Sequence, residues 1–256
     1  MIDTASRESS ANRSLERALS LLLVMGEAGQ SMGLTELSRA TQLAKPTVLR
    51  LMSVLEKYGI AEKWRGRFQL GIATLPLAHA YLMGKELTRV TLPVLQELAQ
   101  TSEETASLFV RFGFHRIVVQ RVDGRFPLRY VLPIGQRLPL HVGAGKVLAA
   151  AMPEEELQQM LDKVGDMKLA SGKRVSRKAF LDELEQIRRQ GYVICRNERT
   201  VGTASVGAPV LDANGATVAV VGVAGHTDRL TVKKQRHLSI EVRNAANAIS
   251  DRYYGS

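Results

Sequence analysis

The chain has 256 residues, 45% of them hydrophobic and 23% charged, with a formal net charge of +10. That balance excludes a disordered chain, and the length favours two small domains over one. No apolar run reaches the roughly 18–20 residues that a membrane span needs, and the opening MIDTASRESSANRS lacks the apolar stretch of a secretory signal. The single cysteine, Cys195, allows no internal disulfide or cysteine-based zinc site, so the expected compartment is the cytoplasm. A basic chain favours polyanions. Residues 1–71 hold ten Lys/Arg against seven Asp/Glu, so the excess is spread along the chain and does not locate a surface.

Residues 1–12 are Ser-rich and read as a flexible tail. From Ser14, a plausible N-cap, Leu15, Ala18, Leu19 and Leu22 recur at helical spacing, and Gly26 and Gly29 end that helix. Thr35 is the expected cap of a short second helix, ELSRAT. QLAK turns the chain, and Pro46 starts a third helix that stops at Gly59. IAEKWRGRFQLG then reads as a hairpin about Arg65-Gly66. Three helices and a hairpin make a winged helix-turn-helix over residues 13–71. Residues 72–84 form an apolar linker helix, whose Leu75, Leu77, Tyr81 and Leu82 need burial and suit a dimer contact.

Residues 85–256 alternate strands and helices. A helix over 86–101 is expected to kink or restart at Pro93. TASLFVRF and HRIVVQRV form strands about Gly113, and LRYVL follows a DGRF turn. Helices are predicted at 144–151, 154–163 and 177–190, the last capped by Ser176. Strands at 192–196, 204–211 and 217–224 follow, with Asn214-Gly215 as a hairpin signal. A final helix near 231–253 buries Leu238, Val242, Ala245 and Ile249. The fold class is α+β, with an antiparallel sheet in the second domain.

The third helix, KPTVLRLMSVLEKY, places Val48, Leu51, Met52 and Leu55 on one face and Thr47, Arg50, Val54 and Lys57 on the other. Recognition helices enter the major groove by their N-terminal residues. Arg forks onto guanine O6 and N7, and Thr bonds a base edge or a phosphate. Thr47 and Arg50 are therefore the base-reading candidates. Lys45 at the helix entrance and Arg65 and Arg67 on the wing are phosphate candidates. Thr35, Pro46, Lys57 and Lys63 complete the expected DNA-binding set.

Two stretches carry a family resemblance. The first is GLTELSRATQLAKPTVLRLMSVLEKYGIAEK with GRFQLG. The second is PIGQRLPLHVGAGKVLAA followed by GYVICRNERTVGTASVGAPVLDANGATVAVVGVAG. Over residues 13–252 the chain resembles the IclR family of bacterial transcriptional regulators. The resemblance implies a winged helix-turn-helix joined by a linker helix to a GAF-like effector-binding domain. It also implies a homodimer or dimer of dimers on an approximately palindromic double-stranded operator, and a small-molecule effector. The effector positions fall on Gly143, Ala144, Cys195, Ser205, Gly222 and Ala224. Small residues at a helix start expose backbone N–H groups that suit a carboxylate. The family often has Ser-x-Ser where this chain has Gly222-Val223-Ala224, and an acid where Cys195 stands. A roomier, less polar wall, and a larger or aromatic acid, are therefore expected.

Ser107, Phe109, Arg129, Tyr130 and His141 are further lining candidates. No metal or cofactor is expected, because the histidines lack ligand spacing. GAGK is not a phosphate loop, since Leu140 and Val147 stand where such a loop needs Gly and Ser/Thr. ICRNE puts cations beside Cys195, which would favour a thiolate, but no thiol-enzyme signature accompanies it. An enzyme fused to a DNA-binding domain and an effector-independent nucleoid-like protein remain the alternative readings.

Overall fold

A computed structural model describes residues 4–126 and 132–254, with side chains from Asn12 onward. The chain divides into two compact units, Met1–Gly84 and Lys85–Ser256. The class is the α+β arrangement expected.

The first unit opens with helix α1 (Thr4–Ala28). The helix starts well before Ser14, because no Gly or Pro interrupts residues 4–13. Helix α2 spans Leu34–Thr41 and is capped at Gly33, whose N–H donates to Glu36 Oε2 at 2.7 Å. Thr35 therefore lies inside the first turn and is not the cap. Helix α3 (Lys45–Lys57) carries Pro46 in its first turn, where a missing N–H costs nothing. Strands β1 (Ala61–Trp64) and β2 (Arg67–Leu70) form the hairpin. Its two turn residues, Arg65 and Gly66, both have positive φ, 50° and 79°. That backbone matches the twist of the flanking strands. Met32 adds a short third edge, exchanging backbone hydrogen bonds with Phe68 at 2.7 and 2.8 Å. Leu21, Met25, Leu37, Val48, Leu51, Met52, Ala61 and Phe68 form the core. Each of these side chains larger than Ala61 contributes about 1.5–3 kcal/mol by leaving water. Helix α4 (Thr74–Gly84) closes the unit, and none of its residues is buried.

The second unit is built on a six-stranded antiparallel sheet. Helix α5 (Glu86–Ser102) precedes it and runs through Pro93 without a break. Strands β3 (Thr105–Phe112) and β4 (His115–Val122) follow as expected, then a three-residue strand β5 (Arg137–Pro139) that periodicity was too short to reveal. Helices α6 (Gly145–Ala150) and α7 (Glu154–Val164) come next. Two-residue strands β6 (Met167–Lys168) and β7 (Arg174–Val175) pair with each other. Helix α8 (Arg177–Gln190) is capped by Ser176, whose Oγ accepts from Ala179 N. Strands β8 (Val193–Arg196), β9 (Thr203–Leu211) and β10 (Thr217–His226) and helix α9 (Val232–Tyr254) complete the chain.

The strand order is β5-β4-β3-β10-β9-β8. Leu238, Val242, Ala245 and Ile249 of α9 are buried, and α9 packs on β9 and β10 beside α5. Helices α6, α7 and α8 gather over a second core that includes Phe109, Val118, Leu148, Leu157, Phe180 and Val193. Among the described residues, no helix is long and apolar enough to cross a membrane.

Candidate functional site

Helix α3 buries Val48, Leu51 and Met52 and leaves the opposite face to solvent. Arg50, Lys45, Pro46 and Lys57 are exposed there, and Thr47 is half-buried. Thr35, Lys63 and Arg65 are exposed as well. Arg67 is exposed too, and part of its guanidinium is engaged within the unit. Its Nη2 donates to Glu36 Oε2 at 2.7 Å and to the Ser31 carbonyl at 2.8 Å, so it clamps the wing to α2. The Gly33 N–H and the Arg67 guanidinium both lower the Glu36 pKa, which keeps that clamp ionised. Trp64, read in the sequence only as a strand residue, is 62% exposed, with the Arg65 guanidinium 5.6 Å from its ring centroid.

The second unit holds a cavity that is open at its mouth. Sheet register explains its floor. Thr105, Ala224, Ser205 and Cys195 stand in one row across β3, β10, β9 and β8, and Ser107, Gly222 and Gly207 stand in the next. Gly143 and Ala144, just before α6, also line it. Eight sequence candidates thus meet in one place: Ser107, Phe109, Gly143, Ala144, Cys195, Ser205, Gly222 and Ala224. Phe109, Leu132, Val206 and Val223 add an apolar wall. Gly222 has a packing reason of its own, since a Cβ there would sit 2.9 Å from the Val206 carbonyl oxygen.

Three candidates are not among them. Arg129 and Tyr130 lie outside the described residues. His141 lines a neighbouring cavity with Lys146, Phe180 and Glu183, and Glu198 borders both cavities. Burial, helped by Arg116, lowers the His141 pKa, and its buried Nδ1 has no hydrogen-bond partner among the described residues.

The sequence reading missed the charged members. Arg116, Arg121, Arg199 and Glu198 all line the first cavity. Glu198 takes the amide that was expected to serve a ligand: its Oε2 accepts from Gly143 N at 2.7 Å. Its Oε1 accepts from Lys146 Nζ at 2.6 Å, and Lys146 also reaches Glu183 at 2.5 Å. Burial opposes the Lys146 charge, but its acidic neighbours win and hold the ammonium above the usual lysine value. Arg116 is 3% exposed, and its Nη1 donates to the carbonyls of Pro139 and Val142 at 2.7 and 2.6 Å. Burial brings its guanidinium down to about 10, still charged at neutral pH. Burial also pushes the Cys195 thiol up to about 12 despite Lys146 and Arg116 nearby, so it is neutral. Among the described residues no cluster of His, Cys, Asp or Glu could hold a metal.

Comparison with known proteins now decides the family. Residues 14–64 match the IclR helix-turn-helix domain, and residues 79–251 match the bacterial transcriptional regulator IclR C-terminal domain. The chain belongs to the IclR family. It is a DNA-binding regulator of transcription and not an enzyme. Among IclR relatives, the HTH-type transcriptional repressor AllR of Escherichia coli (strain K12) is 28% identical over 241 residues, 93% of this chain and 89% of its own. A solved putative transcriptional regulator from Rhodococcus sp. RHA1 is 27% identical with TM-score 0.74, over 94% of this chain and 97% of that one. An IclR homolog from Microbacterium hydrocarbonoxydans, solved in complex with 4-hydroxybenzoate, has TM-score 0.76 at 20% identity. It covers 95% of this chain and all (100%) of its own. At that identity it speaks for the fold alone.

Proposed function

We propose that this IclR regulator binds an approximately palindromic operator as a homodimer or dimer of dimers, and that a small organic acid in the second unit's cavity sets its affinity for DNA. The observation that carries this reading is the cavity lining, an apolar wall of Phe109, Leu132, Val206 and Val223 beside three arginines. That combination suits an anion with an apolar body, such as an aromatic acid. Thr47 and Arg50 are assigned to base edges, and Lys45 and Arg65 to phosphates. The exposure of Lys45, Arg50 and Arg65, with half-buried Thr47 beside them in the first turn of α3, supports the assignment. The bound acid selects one of two relative arrangements of paired winged domains, a population shift.

The test is a fluorescence-anisotropy titration of the full chain with the DNA upstream of its own gene, against scrambled competitor, at several salt concentrations. The expected result is binding that survives the competitor and shifts when 4-hydroxybenzoate or another aromatic acid is added. Indiscriminate, steeply salt-dependent binding that no acid changes would overturn the reading.

A further inference from the structure

Strand β4 carries a bulge where its register with β3 shifts between Leu108 and Phe109. Phe109 pairs with Val118 and Ser107 with Arg121, so one extra residue lies between them on β4. The bulge lets Arg116 and Arg121, an odd number of residues apart, share the cavity face. Arg121 is satisfied locally, its Nε donating to Asp123 Oδ1 at 2.8 Å. Arg116 is not. Nη1 carries the two hydrogen bonds to Pro139 and Val142 and fixes one end of the guanidinium. Phe109 supports its face, the ring centroid 5.3 Å from Cζ. Nε is buried and has no hydrogen-bond partner among the described residues. Nη2 lies toward Gly143, close enough that a Cβ there would meet it at 3.1 Å.

The Nε–Nη2 edge is a fork that fits a carboxylate side-on. This chain already shows the fit elsewhere. Arg229 donates by Nε and Nη2 to the two oxygens of buried Glu104, at 2.6 and 2.9 Å. Among the described residues Arg116 has no such acid. Glu198, the carboxylate lining the same cavity, engages Lys146 and the Gly143 amide instead.

We infer that Arg116 is the anion anchor of the cavity: it takes the carboxylate of a monoanionic ligand side-on through Nε and Nη2, with the apolar body on the Phe109–Leu132–Val223 wall. The inference rests on the cavity being the effector site. It places the ligand's charge on a buried strand arginine and not on the backbone before α6. It selects carboxylates over their neutral amides.

Isothermal titration of the full chain tests this. The probes are benzoate, phenylacetate and hexanoate, each against its amide, on the wild type, Arg116→Lys and Arg116→Gln. At least one acid should bind the wild type and its amide should not. Affinity should fall about 10- to 100-fold in Arg116→Gln, the usual loss for a charged hydrogen bond. Arg116→Lys should fall between, having the charge without the fork. In the wild type, the Arg116 Nε–H resonance should move on titration with the acid and stay put with the amide, a readout that stands even if a variant unfolds. Equal binding of acid and amide, unchanged affinity in Arg116→Gln, or no binding of any acid would each overturn the anchor. Arg116-dependent binding that leaves operator affinity unchanged would uphold the anchor and overturn the regulatory reading.

Discussion

Cys195 is flanked in sequence by Arg196, and Lys146 and Arg116 lie near it in space, yet burial decides its chemistry. With its thiol pushed up to about 12, almost no thiolate exists at pH 8. Ellman's reagent should therefore release no thiol from the native chain at pH 8, and one equivalent once guanidinium unfolds it; prompt native release would refute the buried assignment. His141 makes a second residue-level test. Its pKa is lowered in the fold by burial, while an unfolded histidine titrates near 6.5. Below about pH 6.5 the unfolded chain takes a proton that the native site resists, so stability falls as pH falls. Urea unfolding at pH 7.5 and pH 5.5 should show a smaller loss in His141→Gln than in the wild type. Neither environment was legible in sequence. Arg116 reads as a strand charge bound for solvent, and the acid that occupies the Gly143 amide stands 55 positions away. Small residues were easier to place: a Cβ on Gly222 would sit 2.9 Å from the Val206 carbonyl oxygen, and Gly143 holds a φ of 62° that favours glycine.

Elements were legible where one local rule dominated. Pro46 opened α3, Ser176 capped α8, and strands β3 and β4 followed the predicted spans. Thr35 lost its cap role because Glu36 reaches back to the Gly33 amide, an arrangement that competes with any side chain one residue later. The short strands β5, β6 and β7 span two or three residues each, too few for a period of two to show. The wing turn carries its own test. Arg65 adopts φ 50°, a left-handed conformation that costs most L residues about 1 kcal/mol and Asn less. Arg65→Asn should stabilise the first unit by up to about 1 kcal/mol in thermal or urea unfolding. The same change should weaken operator binding and reduce the salt slope by about one phosphate contact. A variant that is both more stable and unchanged on DNA would take Arg65 off the phosphate list. Arg67→Ala should act the other way, loosening the wing through the lost Glu36 clamp.

At the scale of the whole molecule, α4 poses the sharpest question. It is eleven residues of mostly apolar sequence, TLPLAHAYLMG, with no residue buried in the single chain. Leu75, Leu77 and Met83 are 63%, 64% and 65% exposed. A helix this short does not hold together in water on its own propensity, so an apolar helix without a partner must gain one. On the palindromic operator proposed above, that partner would be a second copy of the chain, since protein two-fold symmetry mirrors the symmetry of the half-sites. Leu75→Glu combined with Leu77→Glu should leave the circular dichroism of the second unit's sheet intact and shift the light-scattering mass to that of one chain, 28.1 kDa. Operator affinity should then fall by at least about 100-fold, because two half-sites are no longer read by linked domains. Binding to an isolated half-site should stay as it was. A variant that remains a dimer with full operator affinity would place the contact on other exposed residues, with Leu15, Leu19 and Leu23 at four-residue spacing on α1 the next surface to change.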